Sequence, residues 1–227
     1  QGSGLGTSSI LAAAVLKMLY RLSNHGYGNI ENEYPGLYDQ SVLLEQSFGL
    51  NSGWQDARGA CGGPSAIKDF HAPPTDGLPA PERQFLSGID ESLFAKRVVL
   101  FDTGISRAAT RGLNEVLDAY LTRDPHRYPA IRESLDIHDR MVQALQQGSY
   151  GQLGNLSARY WQLRCILDPG ATSKALQHLF EHPSLTDLSE GGLITGAGGG
   201  GFALLIARGG REDELRQELT ALRKMAP

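Results

Sequence analysis

No hydrophobic run in this chain is long enough to cross a bilayer. The longest near its start, Ile10 to Leu16, falls far short of the roughly 20 residues a membrane helix needs. Positive charge is not in excess either. Lys and Arg total 21 against 25 Asp and Glu, a net charge of −4, and no basic stripe stands out. That balance gives no electrostatic case for nucleic acid or an anionic membrane as partner. Cysteine is scarce: Cys61 and Cys165 stand alone, without metal-ligand spacing, so neither a disulfide scaffold nor a zinc site is expected. His25, His71, His126, His138, His178 and His182 are scattered and read as surface or capping residues. No secretory leader is visible, and a reducing, cytoplasmic compartment is the default. With 227 residues and 41% apolar content, the chain can bury a good core, as one domain or two intimate lobes.

Glycine, in contrast, is abundant and placed. Gly2-Ser3-Gly4-Leu5-Gly6-Thr7-Ser8-Ser9 runs directly into Ile10-Leu11-Ala12-Ala13-Ala14-Val15-Leu16. Glycine lets backbone approach a ligand and takes positive φ at little cost. A helix start offers unpaired N–H groups and the positive end of the macrodipole. Together they form a phosphate cradle, with hydroxyls beside it able to reach a metal ion. An ordinary glycine-rich turn before a capped helix stays open on these residues alone. The string does not end in Gly-Lys-Ser/Thr, so it is no Walker loop. A Rossmann fingerprint would need a preceding strand and an acid at the end of a second one, whereas Glu31 lies in a polar turn segment.

A second glycine run lies near the other end, Thr195-Gly196-Ala197-Gly198-Gly199-Gly200-Gly201, before the apolar Phe202-Ala203-Leu204-Leu205-Ile206-Ala207. The apolar run reads as a buried strand. A flexible linker would not abut a core strand on one side and Leu193-Ile194 on the other. The run is therefore expected to be a tight turn whose bare backbone lies against a ligand or against the first loop.

Between them lie two carboxylates. Tyr38 to Phe48 has helical character and ends at Gly49, a C-cap candidate. Helical spacing puts Glu45 on a face with Tyr38, Ser41 and Val42, and Leu37, Leu44 and Phe48 on the side expected to be buried. Eleven residues beyond Glu45 comes Asp56, in Asn51-Ser52-Gly53-Trp54-Gln55-Asp56. Such a pair can divide the labour of phosphoryl transfer, one acid holding Mg²⁺ with a loop hydroxyl and the other orienting or deprotonating the attacking hydroxyl. Either acid alone reads more readily as a solvated surface group, and the pair gains its force only alongside both glycine loops.

Two glycine loops and an acid pair in this order resemble the GHMP kinase superfamily. Its second motif, Pro-x-x-x-Gly-Leu-Gly-Ser-Ser-Ala, is matched by Gly4-Leu5-Gly6-Thr7-Ser8, and its glycine-rich third motif by Gly196 to Gly201. Within the superfamily the chain is most similar to L-fucokinases, including the kinase half of bifunctional fucokinase/GDP-fucose pyrophosphorylases. The stretches that carry this likeness are residues 4–11, Gly53-Trp54-Gln55-Asp56, Thr103-Gly104-Ile105-Ser106-Arg107-Ala108-Ala109, Tyr160-Trp161 and Asp168-Pro169-Gly170.

The resemblance implies roles. Gly2, Ser3, Gly4, Leu5, Gly6, Thr7 and Ser8 would wrap the ATP phosphates. Thr7 (or Ser8) and Glu45 would hold Mg²⁺, and Asp56 would be the general base toward the anomeric hydroxyl of a sugar. Trp54 and Gln55 would touch that sugar, through an indole on the pyranose's apolar face and an amide on its hydroxyls; a core role for Trp54 stays open. Gly196, Ala197, Gly198 and Gly199 would shape the wall between nucleotide and acceptor. Arg107 reads either as approaching acceptor or phosphate, or as a solvated charge. Fucokinases continue their signature as Gly-Trp-Gln-Asp-Gln-x-Gly-Gly, whereas here Ala57 follows Asp56 and Cys61-Gly62-Gly63 displaces the glycine pair. The family's first motif and the strands ahead of the phosphate loop are not in the sequence, so the resemblance implies a piece of a larger enzyme.

The expected fold is α+β. The resemblance makes it a GHMP kinase fold: a phosphate-loop part resembling ribosomal protein S5 over residues 1–90, its N-terminal strands missing, and a ferredoxin-like C-terminal lobe over 91–227. Periodicity predicts a first helix from Thr7 to Leu22, with Leu11, Val15, Met18 and Leu22 along one side. A polar connection is expected over Asn24 to Gly36, and a stretch without periodicity through Pro73, Pro74, Pro79 and Pro81. Val98 to Phe101 reads as a strand, followed by helices from Ser106 to Leu121, 130–147, 150–167 and 172–181, and an amphipathic helix near the C-terminus. The expected activity is an ATP-dependent sugar-1-kinase acting on L-fucose or a relative. A heptose-1-kinase and a non-catalytic nucleotide-binding fragment remain alternatives.

Overall fold

The structure is a computed structural model. It describes residues 5–23, 37–49, 55–56, 65–71, 80–105, 112–196 and 198–225. The chain divides into two compact units, Gly6–Ser87 and a second running from Gly88 onward that also takes in Leu5.

In the first unit, helix α1 (Thr7–Leu22) packs on helix α2 (Leu37–Ser47), and strands β1 (Ser65–His71) and β2 (Ala80–Phe85) form an antiparallel pair. The boundaries of α1 match the periodic reading, but its large apolar residues do not face inward. Leu11, Met18 and Leu22 are more than half exposed, and the buried residues are Ser9, Ala12 and Ala13. Small residues let the two helices approach closely, and that approach decides which face is covered.

Helix α2 carries the same lesson. Its buried face is Leu37, Ser41, Val42 and Glu45, while Phe48 is 76% exposed and Leu44 only half-buried. The face assigned to Glu45 is therefore the inner one, contrary to the apolar pattern. The Ser41 hydroxyl is satisfied locally by donating to the Leu37 carbonyl at 2.9 Å, and Gly49 ends the region at φ 75°. The proline-rich stretch without periodicity holds a hairpin's two strands, paired from Ser65↔Phe85 to His71↔Ala80, with Pro81 inside β2. The predicted connection over Asn24 to Gly36 lies outside the described residues.

The second unit is a three-stranded antiparallel sheet with helices on both faces. Its strands are β3 (Val98–Asp102), β4 (Ser189–Ile194) and β5 (Phe202–Ala207), in the order β3-β5-β4. Helix α3 (Glu91–Arg97) leads into β3. Then come α4 (Gly112–Leu121), α5 (Tyr128–Gln146), α6 (Tyr150–Leu167), a 3-10 turn at Pro169–Ala171, α7 (Lys174–Phe180) and α8 (Pro183–Leu188), with α9 (Glu212–Met225) after β5. Helix α4 is described from Gly112 onward; the start predicted at Ser106, and Arg107, lie outside the described residues.

The apolar run of β5 is explained by two-sided burial. Ile206 joins Ile137, Leu153, Leu156 and Leu163 of α5 and α6, while Leu205 and Ala207 join Leu185, Leu188, Leu215 and Leu219 of α8 and α9. A strand covered on both faces loses the usual alternation of apolar and polar residues. A third cluster, Trp161, Ala171, Leu176, Ile194 and Ala203, closes the end of the sheet from which the glycine run departs. Helices and antiparallel strands in separate layers make this an α+β protein.

Candidate active site

The first glycine loop ends in an exposed helix start. Gly6 is the N-cap of α1, left-handed at φ 66° and ψ 24°, and offers no side-chain cap. Its carbonyl accepts the first helical bond, from the Ile10 N–H at 3.1 Å. The first turn holds no acid, and Thr7 and Ser8 are exposed. A helix N-terminus with no acid in its own first turn favours an anion there. Gly2, Ser3 and Gly4 lie outside the described residues.

Asp56 sits against this cap. A Cβ placed on Gly6 would come within 3.1 Å of the Asp56 Cβ and Cγ and 3.2 Å of its Oδ1, so only glycine gives the carboxylate that room. The Asp56 carboxyl keeps one side in solvent. Its pKa is raised, first by loss of hydration where it packs and then by the charge of Glu45. Of the two neighbours expected to touch a sugar, Gln55 is exposed and Trp54 lies outside the described residues.

Glu45 is the buried member of the pair, 3% exposed on α2. One oxygen, Oε2, accepts a hydrogen bond from the Ser9 hydroxyl at 2.6 Å, while Oε1 is buried with no hydrogen-bond partner among the described residues. A buried carboxylate oxygen left unsatisfied is costly. The structure thus brings Gly6, Ser9, Glu45 and Asp56 together in one unit. The hydroxyl that bonds Glu45 is that of Ser9, while Thr7 and Ser8, expected to hold Mg²⁺ with Glu45, are exposed. Sequence reading missed Ser9 as a partner; the signal was a third consecutive hydroxyl, two residues into a helix and on its inner face.

Those residues suit Mg²⁺. Among the described residues no group of three or more His, Cys, Asp and Glu could hold a metal ion by itself. Mg²⁺ seldom needs such a cage, because it takes one or two carboxylates and fills its shell with substrate phosphates and water. The unpartnered Oε1 of Glu45 is an oxygen that such an ion could take as a ligand.

The second glycine run is a fixed turn. Gly196, Gly198, Gly199, Gly200 and Gly201 all have positive φ. The Gly201 carbonyl accepts from the Thr103 N–H and hydroxyl at 2.9 and 2.8 Å, and the Gly201 N–H donates to the Ile105 carbonyl at 2.7 Å. The Gly199 N–H donates to the Ala171 carbonyl, and Arg164 Nη2 to the Gly196 carbonyl at 2.9 Å. Crowding explains the composition: a Cβ on Gly200 would lie 2.2 Å from the Ile105 carbonyl oxygen, and one on Gly198 2.9 Å from the Ala171 Cβ. In its own unit, then, the bare backbone lies against protein, at Ile105 and Ala171. Ala197 lies outside the described residues. Thr103–Ile105, part of a stretch that carried the likeness to fucokinases, and Ala171, directly after Asp168-Pro169-Gly170 of another, are the two supports of this turn. Asp168 stabilises the second of them, its Oδ1 accepting from the Gly170 N–H at 2.8 Å.

No helix among the described residues is long and apolar enough to cross a membrane. A surface groove of about 410 Å³ runs between β3 and α9, but it holds the Arg223–Asp102 ion pair and none of the expected site residues.

Comparison with known proteins agrees with the motifs. No family model matches the chain. The bifunctional fucokinase/GDP-fucose pyrophosphorylase of Arabidopsis thaliana is 34% identical over 224 residues, covering 96% of this chain and 20% of that protein. The L-fucokinase/L-fucose-1-P guanylyltransferase of Bacteroides fragilis is 26% identical over 212 residues, covering 91% and 21%. The chain therefore spans about a fifth of the length of these curated relatives. Among solved structures, L. major mevalonate kinase in complex with R-mevalonate matches with a TM-score of 0.69 at 18% identity, over 97% of this chain and 63% of that one. Streptococcus pneumoniae phosphomevalonate kinase in complex with phosphomevalonate and AMPPNP matches at 0.68 and 16%, over 97% and 66%. At such identities the structural likeness speaks for the fold alone. With its loops, its acid pair and its fucokinase relatives, the chain is a fucokinase-like piece of the GHMP kinase fold.

Proposed function

We propose that the chain is the phosphoryl-transfer part of an ATP-dependent sugar-1-kinase, acting on the anomeric hydroxyl of L-fucose or a close relative. The observation that carries this reading is Asp56. It is a carboxylate with a raised pKa, packed on the glycine cap of a helix whose N-terminus suits a phosphate, beside a second, buried carboxylate with a spare oxygen. The curated relatives, named as fucokinases, support the acceptor class.

The roles follow from the chemistry. The backbone of residues 2–8 and the start of α1 bind and orient the ATP phosphates. Glu45, with a hydroxyl of Thr7 or Ser8, would hold Mg²⁺, which when bound neutralises phosphate charge. Asp56 accepts the proton of the attacking sugar hydroxyl, and its raised pKa moves it toward the range where a carboxylate makes an effective base. Gln55 is placed next to it in sequence to bond a sugar hydroxyl, with Trp54 as the apolar wall. Gly196, Ala197, Gly198 and Gly199 supply the rigid turn proposed to separate nucleotide from acceptor. Residues 1–90 and 91–227 are read as the two lobes, and the ATP and sugar as small-molecule partners in the cytoplasm.

The test is ADP release from Mg²⁺-ATP with L-fucose, D-arabinose, D-mannose and D-glycero-D-manno-heptose in turn. Fucose-dependent release is the expected result. Release only with the heptose would move the chain to the heptose-1-kinases. Nucleotide binding without turnover on any of the four would make it a non-catalytic nucleotide-binding module.

A further inference from the structure

We infer that Ser9 is a positioning residue for metal binding: its hydroxyl fixes the Glu45 carboxylate so that Oε1 alone is presented to the cation that accompanies the nucleotide. The inference rests on the kinase reading above and adds to it a residue that the motif does not assign.

Three observations carry it. Ser9 and Glu45 are 1% and 3% exposed, so neither is a surface group that found a chance partner. Ser9 donates to Oε2 at 2.6 Å across two helices, a short hydroxyl–carboxyl hydrogen bond. Among the described residues Oε1 has no hydrogen-bond partner, although a buried carboxylate ordinarily uses both oxygens. If the Ser9–Glu45 bond were only a helix–helix clamp, the fold would gain by satisfying Oε1 as well. A carboxylate held by one oxygen and left bare at the other is the arrangement of a metal ligand oriented by a neighbouring group. The place also fits, since the negative charge of Glu45 reaches Asp56, and Asp56 packs on the cap of the phosphate-binding helix.

Burial gives the bond a second effect. A glutamate side chain has three rotatable bonds, and α2 fixes only its root. Without the Ser9 hydroxyl the carboxylate can rotate, and both oxygens become unsatisfied. A bound cation would then have to order the ligand it binds, which weakens the affinity.

The experiment measures AMPPNP binding by calorimetry in EDTA and in excess Mn²⁺, with Mn²⁺ binding followed by electron paramagnetic resonance. It compares the unaltered chain with Ser9→Ala, Ser9→Cys and Ser9→Thr. Loss of the hydroxyl in Ser9→Ala and Ser9→Cys is expected to weaken Mn²⁺ binding about 10- to 100-fold, the usual effect of removing a group that orients a metal ligand. AMPPNP affinity in EDTA should not change, and Ser9→Thr, which keeps the hydroxyl, should stay near the unaltered value. A purely structural role would instead lower the melting temperature and leave the metal dependence intact in either folded variant, and that result overturns the inference. If the unaltered chain binds AMPPNP neither with nor without Mn²⁺, the kinase reading itself fails and takes this inference with it. If it binds in a Mn²⁺-dependent way that Ser9→Ala and Ser9→Cys reproduce, only the role of Ser9 fails.

Discussion

Replacing Gly200 by alanine should damage the protein far more than the same change at Gly104, and the reason lies in one carbonyl. Both glycines have positive φ, 151° at Gly200 and 69° at Gly104. Forcing an L-residue into such backbone costs on the order of 1–2 kcal/mol. Around Gly104 a Cβ would meet nothing within 4 Å, so that cost stands alone. At Gly200 the Cβ would lie 2.2 Å from the Ile105 carbonyl oxygen and 2.8 Å from its carbon. That oxygen accepts the Gly201 N–H at 2.7 Å, so relieving the clash also breaks the bond, a further loss of roughly 1 kcal/mol. Gly200→Ala is therefore expected to cost about 2–3 kcal/mol, and Gly104→Ala about half of that. At roughly 2–4 °C per kcal/mol for a chain of this size, the two melting temperatures should differ by several degrees. Urea denaturation followed by Trp fluorescence gives the free energies directly, and Trp161 sits in the cluster beside the turn. Equal losses would refute the reasoning, because they would mean that the contact with Ile105 contributes nothing and the glycine run is as loose as a linker.

Asp56→Asn should cut sugar-dependent ADP release by about 10²- to 10⁴-fold, the range of a removed general base, while AMPPNP binding persists; turnover near the unaltered rate would take Asp56 out of that role. Glu45→Gln removes the second of the two influences that raise the Asp56 pKa, so that pKa should fall yet stay above the ordinary value, moving the acidic limb of the pH–rate profile to lower pH. Carbon-13 NMR of the Asp56 carboxyl checks the shift without relying on turnover. Because the folded state holds the Asp56 proton more tightly than the unfolded chain does, its contribution to stability is complete below the unfolded pKa and is lost as pH rises through the folded one. Asp56→Asn should flatten the melting temperature across that window, and an unchanged pH dependence would place the raised pKa on another group.

Elements with their own periodicity were legible in the sequence, and elements shaped by a neighbour were not. Helix α6 falls at Tyr150–Leu167 as predicted, and β5 is visible as an unbroken apolar run because helices cover both its faces. Strand β4, Ser-Glu-Gly-Gly-Leu-Ile, has no strand pattern of its own. Its glycines are there because α6 and β5 come close: a Cβ on Gly191 would lie 2.4 Å from the Gly154 carbonyl oxygen, and one on Gly192 2.3 Å from that of Leu204. A Cβ on Gly154 would in turn lie 2.4 Å from the Glu190 Cβ, so helix and strand are cut to fit each other. No local pattern announces such a fit. The hairpin of β1 and β2 was hidden in the same way, since its prolines signal interruption more loudly than its short strands signal pairing. Helices α3 and α8, seven and six residues long, are too short for periodicity to show.

The site divides along the same line. Glycine loops and the order of the acids are properties of the sequence, and they led to Gly6, Glu45 and Asp56. The inward turn of Glu45 is a property of the pair α1–α2. On apolar pattern alone, Leu11, Met18 and Phe48 should have been covered, with Glu45 and Ser9 left in water. The structure does the reverse, and the residues that break the pattern are the ones that meet each other. Burying a carboxylate with a spare oxygen while large apolar side chains face out works against stability. An arrangement that costs stability beside the cap of a helix whose N-terminus suits an anion is what a site kept for its chemistry looks like. The disagreement between pattern and burial in α1 and α2 is thus itself evidence for where the chemistry lies. It points to the Ser9–Glu45 contact, which neither the glycine motif nor the spacing of the acids could have named.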